Sequence, residues 1–263
     1  MDSGAIAITA SGSTTPRLDT ELLLAHALGV DRTALFLDPE REVGGAAARA
    51  FRDLVRRRSV ERAPVAYLLG HRGFRRLDLA VDPRVLIPRP ETELLVEVAL
   101  ELPHGARVLD VGTGSGAVAL ALKDERPDLE VAATDFSAAA LAVARANAQR
   151  LALDVAFVEG DLLGGEQAEA ILSNPPYVAD GDPLPPDVAQ HEPAVALRAG
   201  PDGLEVIRRL VPAAAASGAA LLALEVGAGQ APAVAALARE AGFAGVETRG
   251  DLAGIDRVVV ARR

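Results

Sequence analysis

The chain has 263 residues, half of them hydrophobic, with a formal net charge of −10 and no cysteine. That length and apolar content suit one large domain plus a small one, with a substantial core to bury. The missing cysteines exclude disulfides, thiolate metal sites and a cysteine nucleophile, and so acidic a surface is a poor default for gripping a phosphate backbone, where Lys and Arg supply the affinity.

Met1 to Pro16 is small and polar and reads as a frayed start, without the basic opening and apolar core of a secretory signal. Leu18 to Leu28 carries leucines and alanines at helical spacing and ends at Gly29, a C-cap residue. A second helix is expected over Ala46–Glu61. Its basic turn, Arg56-Arg57-Arg58, reads as a solvated face, with contact to an acidic partner as the functional alternative. Pro64–Leu69 predicts a short helix stopped by Gly70. Together these make a small helical N-terminal module over residues 1–72.

From Phe74 to Val81 the pattern changes to alternation, with Leu77, Leu79 and Val81 apolar, and predicts a hairpin. Ile87-Pro88-Arg89-Pro90 follows as a stiff joint, since two prolines this close restrict the backbone. Residues 73–90 therefore read as a hairpin and proline linker. A helix with an acidic first turn is expected over Glu91–Leu102.

After Gly105 the rhythm becomes strand, turn, helix. Strands are expected at Arg107–Val111, Glu130–Thr134, Val155–Glu159, Glu169–Ser173 and Ala220–Val226. Helices are expected at Ser115–Glu125, Ser137–Arg150, Leu204–Ala216 and Ala231–Ala241. Alternating units of this kind imply a parallel sheet covered on both faces, an α/β fold over residues 91–263. Val246–Thr248 and Arg257–Val260 close the chain as a hairpin with an antiparallel edge. The longest apolar stretch, Val211–Val226, is broken by Pro212, Ser217 and Gly218 and is too short and mixed to span a bilayer, so a soluble, cytoplasmic protein with no membrane contact is expected.

Two segments carry the chemistry. The first is the turn Asp110-Val111-Gly112-Thr113-Gly114-Ser115-Gly116 between the first strand of this series and its helix. Glycine lets the backbone approach a ligand, and the helix N-terminus offers N–H groups. About twenty residues on, at the end of the second strand, Asp135 can accept from both ribose hydroxyls. The turn alone also satisfies the loose pattern G-x-G-x-x-A, which leaves a nicotinamide dehydrogenase open.

The second segment is Asn174-Pro175-Pro176-Tyr177, after the strand ending at Ser173, which could be a plain proline-rich turn or, placed after the fourth strand of this series, a site for a planar, amide-like acceptor nitrogen. An amide nitrogen is a poor nucleophile because its lone pair is delocalised into the carbonyl. Catalysis at such a nitrogen needs orientation and reduced conjugation. The Asn174 side-chain oxygen can accept one N–H and the Pro175 carbonyl the other. Pro176 stiffens the loop, and Tyr177 can stack on the planar group. This is catalysis by positioning and electrostatics, with no strong base required.

Asp110-x-Gly112-x-Gly114-x-Gly116 resembles the first motif of class I S-adenosylmethionine-dependent methyltransferases. The resemblance implies a Rossmann-like, seven-stranded sheet. It implies that Asp110, Gly112, Thr113, Gly114, Ser115 and Gly116 hold the methionine moiety, with Asp135 on the ribose. Phe136 would lie against the adenine, Asp161 would accept from its amino group, and Leu162 would pack on its face. Asn174 would border both cofactor and substrate. No metal is implied.

Ala63-Pro64-Val65-Ala66-Tyr67-Leu68-Leu69-Gly70, Val85-Leu86-Ile87-Pro88-Arg89-Pro90-Glu91-Thr92-Glu93, the glycine turn and Asn174-Pro175-Pro176-Tyr177 together resemble the release factor glutamine methyltransferases. His191-Glu192-Pro193 and Gly200-Pro201-Asp202-Gly203-Leu204 also look familial. The resemblance implies N5-methylation of the glutamine in the Gly-Gly-Gln motif of class I peptide chain release factors. It also implies docking of that partner by the helical module, a monomer, no direct nucleic-acid contact, and a stiff Ile87–Pro90 segment that walls the site, with Arg89 at the substrate and Glu91 and Thr92 as further candidates beside it. Two positions depart from the family pattern: Gly73 stands where relatives carry an acid, and Leu162 where many carry an aromatic. The alternatives are methylation of a ribosomal-protein glutamine or of an exocyclic base amino group. A catalytically silent cofactor-binding partner is disfavoured by the intact Asn174.

Overall fold

A computed structural model describes residues 2–263. The chain divides into two units, residues 2–71 with Leu184–His191, and Arg72–Pro183 with Glu192–Arg263.

The first unit is helical: α1 (Asp2–Ala10), α2 (Pro16–Leu28), α3 (Thr33–Leu37), α4 (Gly45–Ser59) and α5 (Val65–Leu69). Gly29 and Gly70 stop α2 and α5 in the left-handed conformation, at φ 64° and 80°. The start of the chain is not frayed, as its polarity suggested. Helix α1 buries Gly4 and Ile8, and a Cβ on Gly4 would stand 3.0 Å from Phe51 of α4 and 3.2 Å from Thr20 of α2. Close approach through one glycine gives almost no apolar periodicity, which is why the pattern was missed. Nor is the arginine run wholly solvated. Arg58 is buried and pairs with Asp19 at 2.9 Å and Asp187 at 3.4 Å. Asp187 belongs to a short helix, Pro186–His191, that lies in the catalytic stretch of the sequence yet clusters with the helical unit. His191 Nε2 lies 2.7 Å from the Glu61 carbonyl.

A hairpin follows, β1 (His71–Phe74) and β2 (Leu77–Ala80), all but its first residue in the second unit. A 3-10 turn (Pro90–Thr92) leads into helix α6 (Glu93–Leu100), shorter than the helix expected to begin at Glu91. The alternating series follows: β3 (Arg107–Val111), α7 (Ala117–Glu125), β4 (Glu130–Asp135), α8 (Ala138–Leu151), β5 (Ala156–Glu159) and β6 (Ala170–Ser173). With the Pro186–His191 helix taken as α9, the chain continues through α10 (Glu205–Ser217), β7 (Leu221–Glu225), α11 (Ala231–Glu240), β8 (Gly245–Gly250) and β9 (Asp256–Arg262).

Seven strands form one sheet in the order β5-β4-β3-β6-β7-β9-β8. Strands β3 to β7 are parallel, and β9 runs antiparallel to both β7 and β8. The antiparallel strand is thus the penultimate one, inserted between β7 and the edge strand β8. Residues alternate between two cores because both sheet faces are covered. Val108, Leu172 and Ala223 join one core with Leu95 of α6 and Leu120 of α7. Leu109, Ile171 and Leu222 join the other with Ile207 of α10 and Val234 of α11. Strand β3 is flanked by β4 on one side and β6 on the other, so the chain order reverses there. Crevices outside the carboxyl ends of strands at such a reversal are where open α/β sheets bind ligands. Among the described residues, no helix is long and apolar enough to cross a membrane.

Candidate active site

The two motifs come together because β3 and β6 are neighbours. Val111 pairs with Ser173, and the Ser173 hydroxyl donates to the Val111 carbonyl at 2.7 Å. The glycine turn and Asn174 therefore leave adjacent strand ends.

Gly112, Gly114 and Gly116 all have positive φ, at 73°, 57° and 85°. Several donors that the sequence left free for a ligand are taken up inside the protein. Gly112 and Thr113 N–H donate to the Thr134 carbonyl at 2.8 and 3.0 Å. Gly114 N–H donates to Asp135 at 2.9 Å, and Ala119 N–H, in the first turn of α7, donates to Asp110 at 3.2 Å. Asp110 also accepts the Thr113 hydroxyl at 2.6 Å. Asp110 is thus a brace beneath the turn. Burial pushes its carboxyl up to about 6, against those two hydrogen bonds and with a further push from Asp135. Asn147, fully buried on α8, donates to the Ser115 and Ala80 carbonyls and accepts from Ala80 N–H, which ties the hairpin to the turn.

Asp135 is buried at the end of β4, with its carboxylate accepting Gly114 and Ser137 N–H groups. Burial raises its pKa, against those two hydrogen bonds. A carboxylate has about four acceptor sites, so two remain for a diol. Beside it lies a cavity of about 330 Å³ whose walls include Gly112, Asp135, Phe136, Asp161, Leu162 and Pro175. Phe136 is 58% exposed, a large aromatic left on a cavity wall rather than in the core. Asp161 is exposed and ion-paired to Arg209, which the sequence did not anticipate. Leu162 takes a positive φ of 51°, and its carbonyl accepts the Thr134 hydroxyl at 2.7 Å.

A second, smaller cavity, about 50 Å³, is lined by Arg89, Thr92, Asp110, Gly112 to Ser115 and Asn174. Gly112 borders both. A Cβ on Gly112 or Gly114 would meet nothing within 4 Å, so the turn presents open space on that side. Ser115 Oγ, on the wall of this smaller cavity, is buried without a hydrogen-bond partner, the only such side-chain atom among the described residues. A buried orphan hydroxyl beside a cavity fits a polar ligand group. These features suit a nucleoside in the larger space and an amino-acid moiety at the turn.

Asn174 is half-buried, and its Nδ2 donates to Thr92 Oγ1 at 3.0 Å. Pro175 is buried and Pro176 half-buried. The Tyr177 hydroxyl donates to Glu225 at 3.2 Å, its carbonyl accepts from Gln230 at 2.9 Å, and a Cβ on Gly227 would stand 3.3 Å from its ring. Burial, then the Glu225 charge, push the phenol well above its usual range. Arg89 pairs with Glu192 at 2.5 Å, and Glu192 also accepts Ile87 N–H at 3.0 Å, which clamps the proline joint. Glu192 and Glu225 were not singled out from the sequence as site residues. Glu192 lies in the familial run His191-Glu192-Pro193, which gave it no role, and Glu225 is a lone acid; each stands far along the chain from the group it holds.

A family model, PrmC N-terminal domain, matches residues 2–70, and a second, Methyltransferase small domain, matches residues 90–191. The chain is 48% identical over 267 residues to the release factor glutamine methyltransferase of Deinococcus radiodurans, covering 97% of this chain and 94% of that protein. It is 45% identical over 272 residues to the enzyme of the same name from Xylella fastidiosa, covering 100% and 98%. A methyltransferase from Pyrococcus furiosus superposes with a TM-score of 0.53 at 19% identity, over 71% of this chain and 88% of that one, a likeness of fold alone.

Proposed function

Because the chain belongs to the release factor glutamine methyltransferase family, we propose that it methylates N5 of the glutamine in the Gly-Gly-Gln motif of class I peptide chain release factors. The observation that carries the reading is the meeting of the glycine turn and Asn174 at the ends of β3 and β6, each bordering the same cavity. S-adenosylmethionine, when bound, would supply an electrophilic methyl group, its sulfonium–methyl bond breaking with the electron pair left on sulfur. Gly112 to Gly116 and Ser115 Oγ would hold its amino-acid end, and Asp135 its ribose. Phe136 and Leu162 would flank the adenine, with Asp161 at its amino group once that carboxylate turns from Arg209.

Asn174 Oδ1 accepts one N–H of the substrate amide and the Pro175 carbonyl accepts the other. Two acceptors on one nitrogen fix its plane and draw density onto it. Tyr177, held at its hydroxyl by Glu225, flanks the planar group. Arg89 and Glu192 keep the proline joint beside the acceptor. When the nitrogen gains a methyl group it loses one of its two protons, which passes to solvent, since an N-alkylated amide cation is strongly acidic. The helical unit, residues 1–72 in the sequence, docks the release factor, and the reaction belongs to the cytoplasm, where translation runs.

The test is transfer of label from S-adenosylmethionine to a purified class I release factor, beside a variant with Ala for Gln in the Gly-Gly-Gln motif. Label on the wild-type factor alone supports the reading. Label on both places the acceptor elsewhere, and label on neither, with cofactor bound, removes this substrate.

A further inference from the structure

The Asn174 amide is not free to choose which end it turns to the acceptor. Its Nδ2 donates to Thr92 Oγ1 at 3.0 Å, and the Thr92 hydroxyl donates to Glu225 Oε2 at 2.6 Å. Glu225 is 1% exposed at the end of β7, and its other oxygen accepts the Tyr177 hydroxyl. A hydroxyl carries one proton, and an ionised carboxylate only accepts. With its proton committed to Glu225, Thr92 offers Asn174 lone pairs alone. Asn174 must therefore give Thr92 its NH₂ end, which leaves Oδ1 for the substrate. Were the hydroxyl proton released from Glu225, Thr92 could donate to Oδ1, and the amide could invert and present donors to a substrate nitrogen that also carries donors.

We infer that Glu225 and Thr92 are positioning residues for methyl transfer, and that together they set the amide orientation of Asn174. The inference rests on the role given above to Asn174. It also explains why the acid is buried. An exposed carboxylate would bond water as readily as Thr92, whereas one enclosed by Thr92 and Tyr177 has a single arrangement. The same enclosure makes the device titratable. Burial, aided by Glu91 on the 3-10 turn and opposed by Arg257 on β9 and by the hydrogen bonds from Thr92 and Tyr177, pushes Glu225 up to about 7. Protonated Glu225 can donate to Thr92, which frees the Thr92 proton. The Tyr177 phenol stays a donor throughout, because its own pKa is raised.

The experiment compares Thr92→Val, Thr92→Ser, Glu225→Gln and Asn174→Ala in steady-state methylation of a release factor, with cofactor affinity measured by calorimetry. Thr92→Val should lower kcat by about 10- to 100-fold, the scale of a misoriented catalytic group, with cofactor Kd within about twofold. Thr92→Ser should restore most of that loss. Wild-type kcat should rise from pH 6 to 8 with an apparent pKa near 7, and Glu225→Gln, which cannot ionise, should flatten that limb. Wild-type kcat in Thr92→Val, no rescue by Thr92→Ser, or an unchanged limb in Glu225→Gln overturns the inference. Turnover in Asn174→Ala would instead overturn the role of Asn174. An inactive Asn174→Ala beside a fully active Thr92→Val would leave that role standing and remove the relay alone.

Discussion

Gly114 and Gly116 sit two residues apart in the same turn, both at positive φ, yet alanine at each should fail differently. An L-residue in the left-handed region costs about 1–2 kcal/mol. At Gly114 that is the whole effect on the fold, because a Cβ there meets nothing within 4 Å. At Gly116 the Cβ would stand 2.8 Å from Leu120 Cδ1, 3.2 Å from its Cγ and 3.4 Å from Ala144 Cβ. Leu120 is fully buried, so making room for the methyl group means repacking the core around it, and overpacking adds about 1–3 kcal/mol. At about 2–4 °C per kcal/mol for a chain of this size, Gly114→Ala should lower Tm by about 2–8 °C and Gly116→Ala by about 4–20 °C. The ligand reverses the order. S-adenosylmethionine at a hundred times its Kd stabilises the wild type by about 2.7 kcal/mol. That increment should vanish in Gly114→Ala, whose methyl group occupies the ligand's space, and persist in Gly116→Ala. Thermal melts with and without cofactor read both quantities. A full cofactor-induced shift in Gly114→Ala, or a Gly116→Ala no less stable than Gly114→Ala, would refute the division of the turn into a ligand side and a packing side.

Asp135→Ala should weaken cofactor binding by about 10- to 100-fold, as loss of hydrogen bonds to a charged acceptor predicts; unchanged affinity in calorimetry would remove the ribose assignment. Arg75→Ala should cost about 1–3 kcal/mol in urea unfolding, because Glu125 loses two charge-assisted bonds from Arg75 at 2.7 and 2.8 Å, with only the Arg76 charge left beside it; no change in the urea midpoint would show that this pair does not hold the hairpin. Stability should also fall as pH rises from about 4.5 to about 7. Asp110 and Glu225 have folded pKa values of about 6 and about 7, raised above their ordinary ones by burial. The folded state therefore binds those protons more tightly, and each group's contribution is full below its unfolded pKa and lost through the folded one. Each is worth about 3 kcal/mol at about 1.4 kcal/mol per pH unit. Urea midpoints at pH 5.5 and 8 read the slope, which Glu225→Gln should reduce; an unchanged slope would show that Glu225 does not titrate in this window.

Most of the sheet could be read from the chain because its central strands β3, β6 and β7 are buried along nearly their whole length and stand out as apolar runs. Arg107–Val111 matches β3 at both ends. The site motifs were legible for a related reason: a turn needing three positive φ values and a loop needing two prolines leave residue types that little else demands. What escaped was contact without periodicity. Helix α1 docks through Gly4, the Pro186–His191 helix is held by Asp187 against Arg58, and the proline joint by Glu192 against Arg89. A single charged or small residue reads the same in sequence whether it faces water or a partner far along the chain. The closing hairpin and its antiparallel edge were visible, while the order in which its strands join the sheet, β9 beside β7 and β8 outermost, had no signal in the chain.

The acids that matter share one address. Asp110 lies one residue before the end of β3, Asp135 ends β4 and Glu225 ends β7. All three are buried, and burial is the main force raising each pKa. At neutral pH none of them stabilises the fold, since a buried carboxylate held by neutral donors is costly. Each fixes the geometry of a group that faces the cavity: Asp110 holds the glycine turn, Asp135 the Gly114 N–H, and Glu225, through Thr92, the Asn174 amide. Parallel strands bring their carboxyl ends to one rim, so acids distant in sequence converge there without any local pattern. Rigid acceptors of fixed direction are what transfer to an amide nitrogen requires, because the nitrogen supplies little reactivity of its own. The stability given up at these three positions is therefore located at or just behind the cavity walls, where it fixes the direction of the groups that face the cavity.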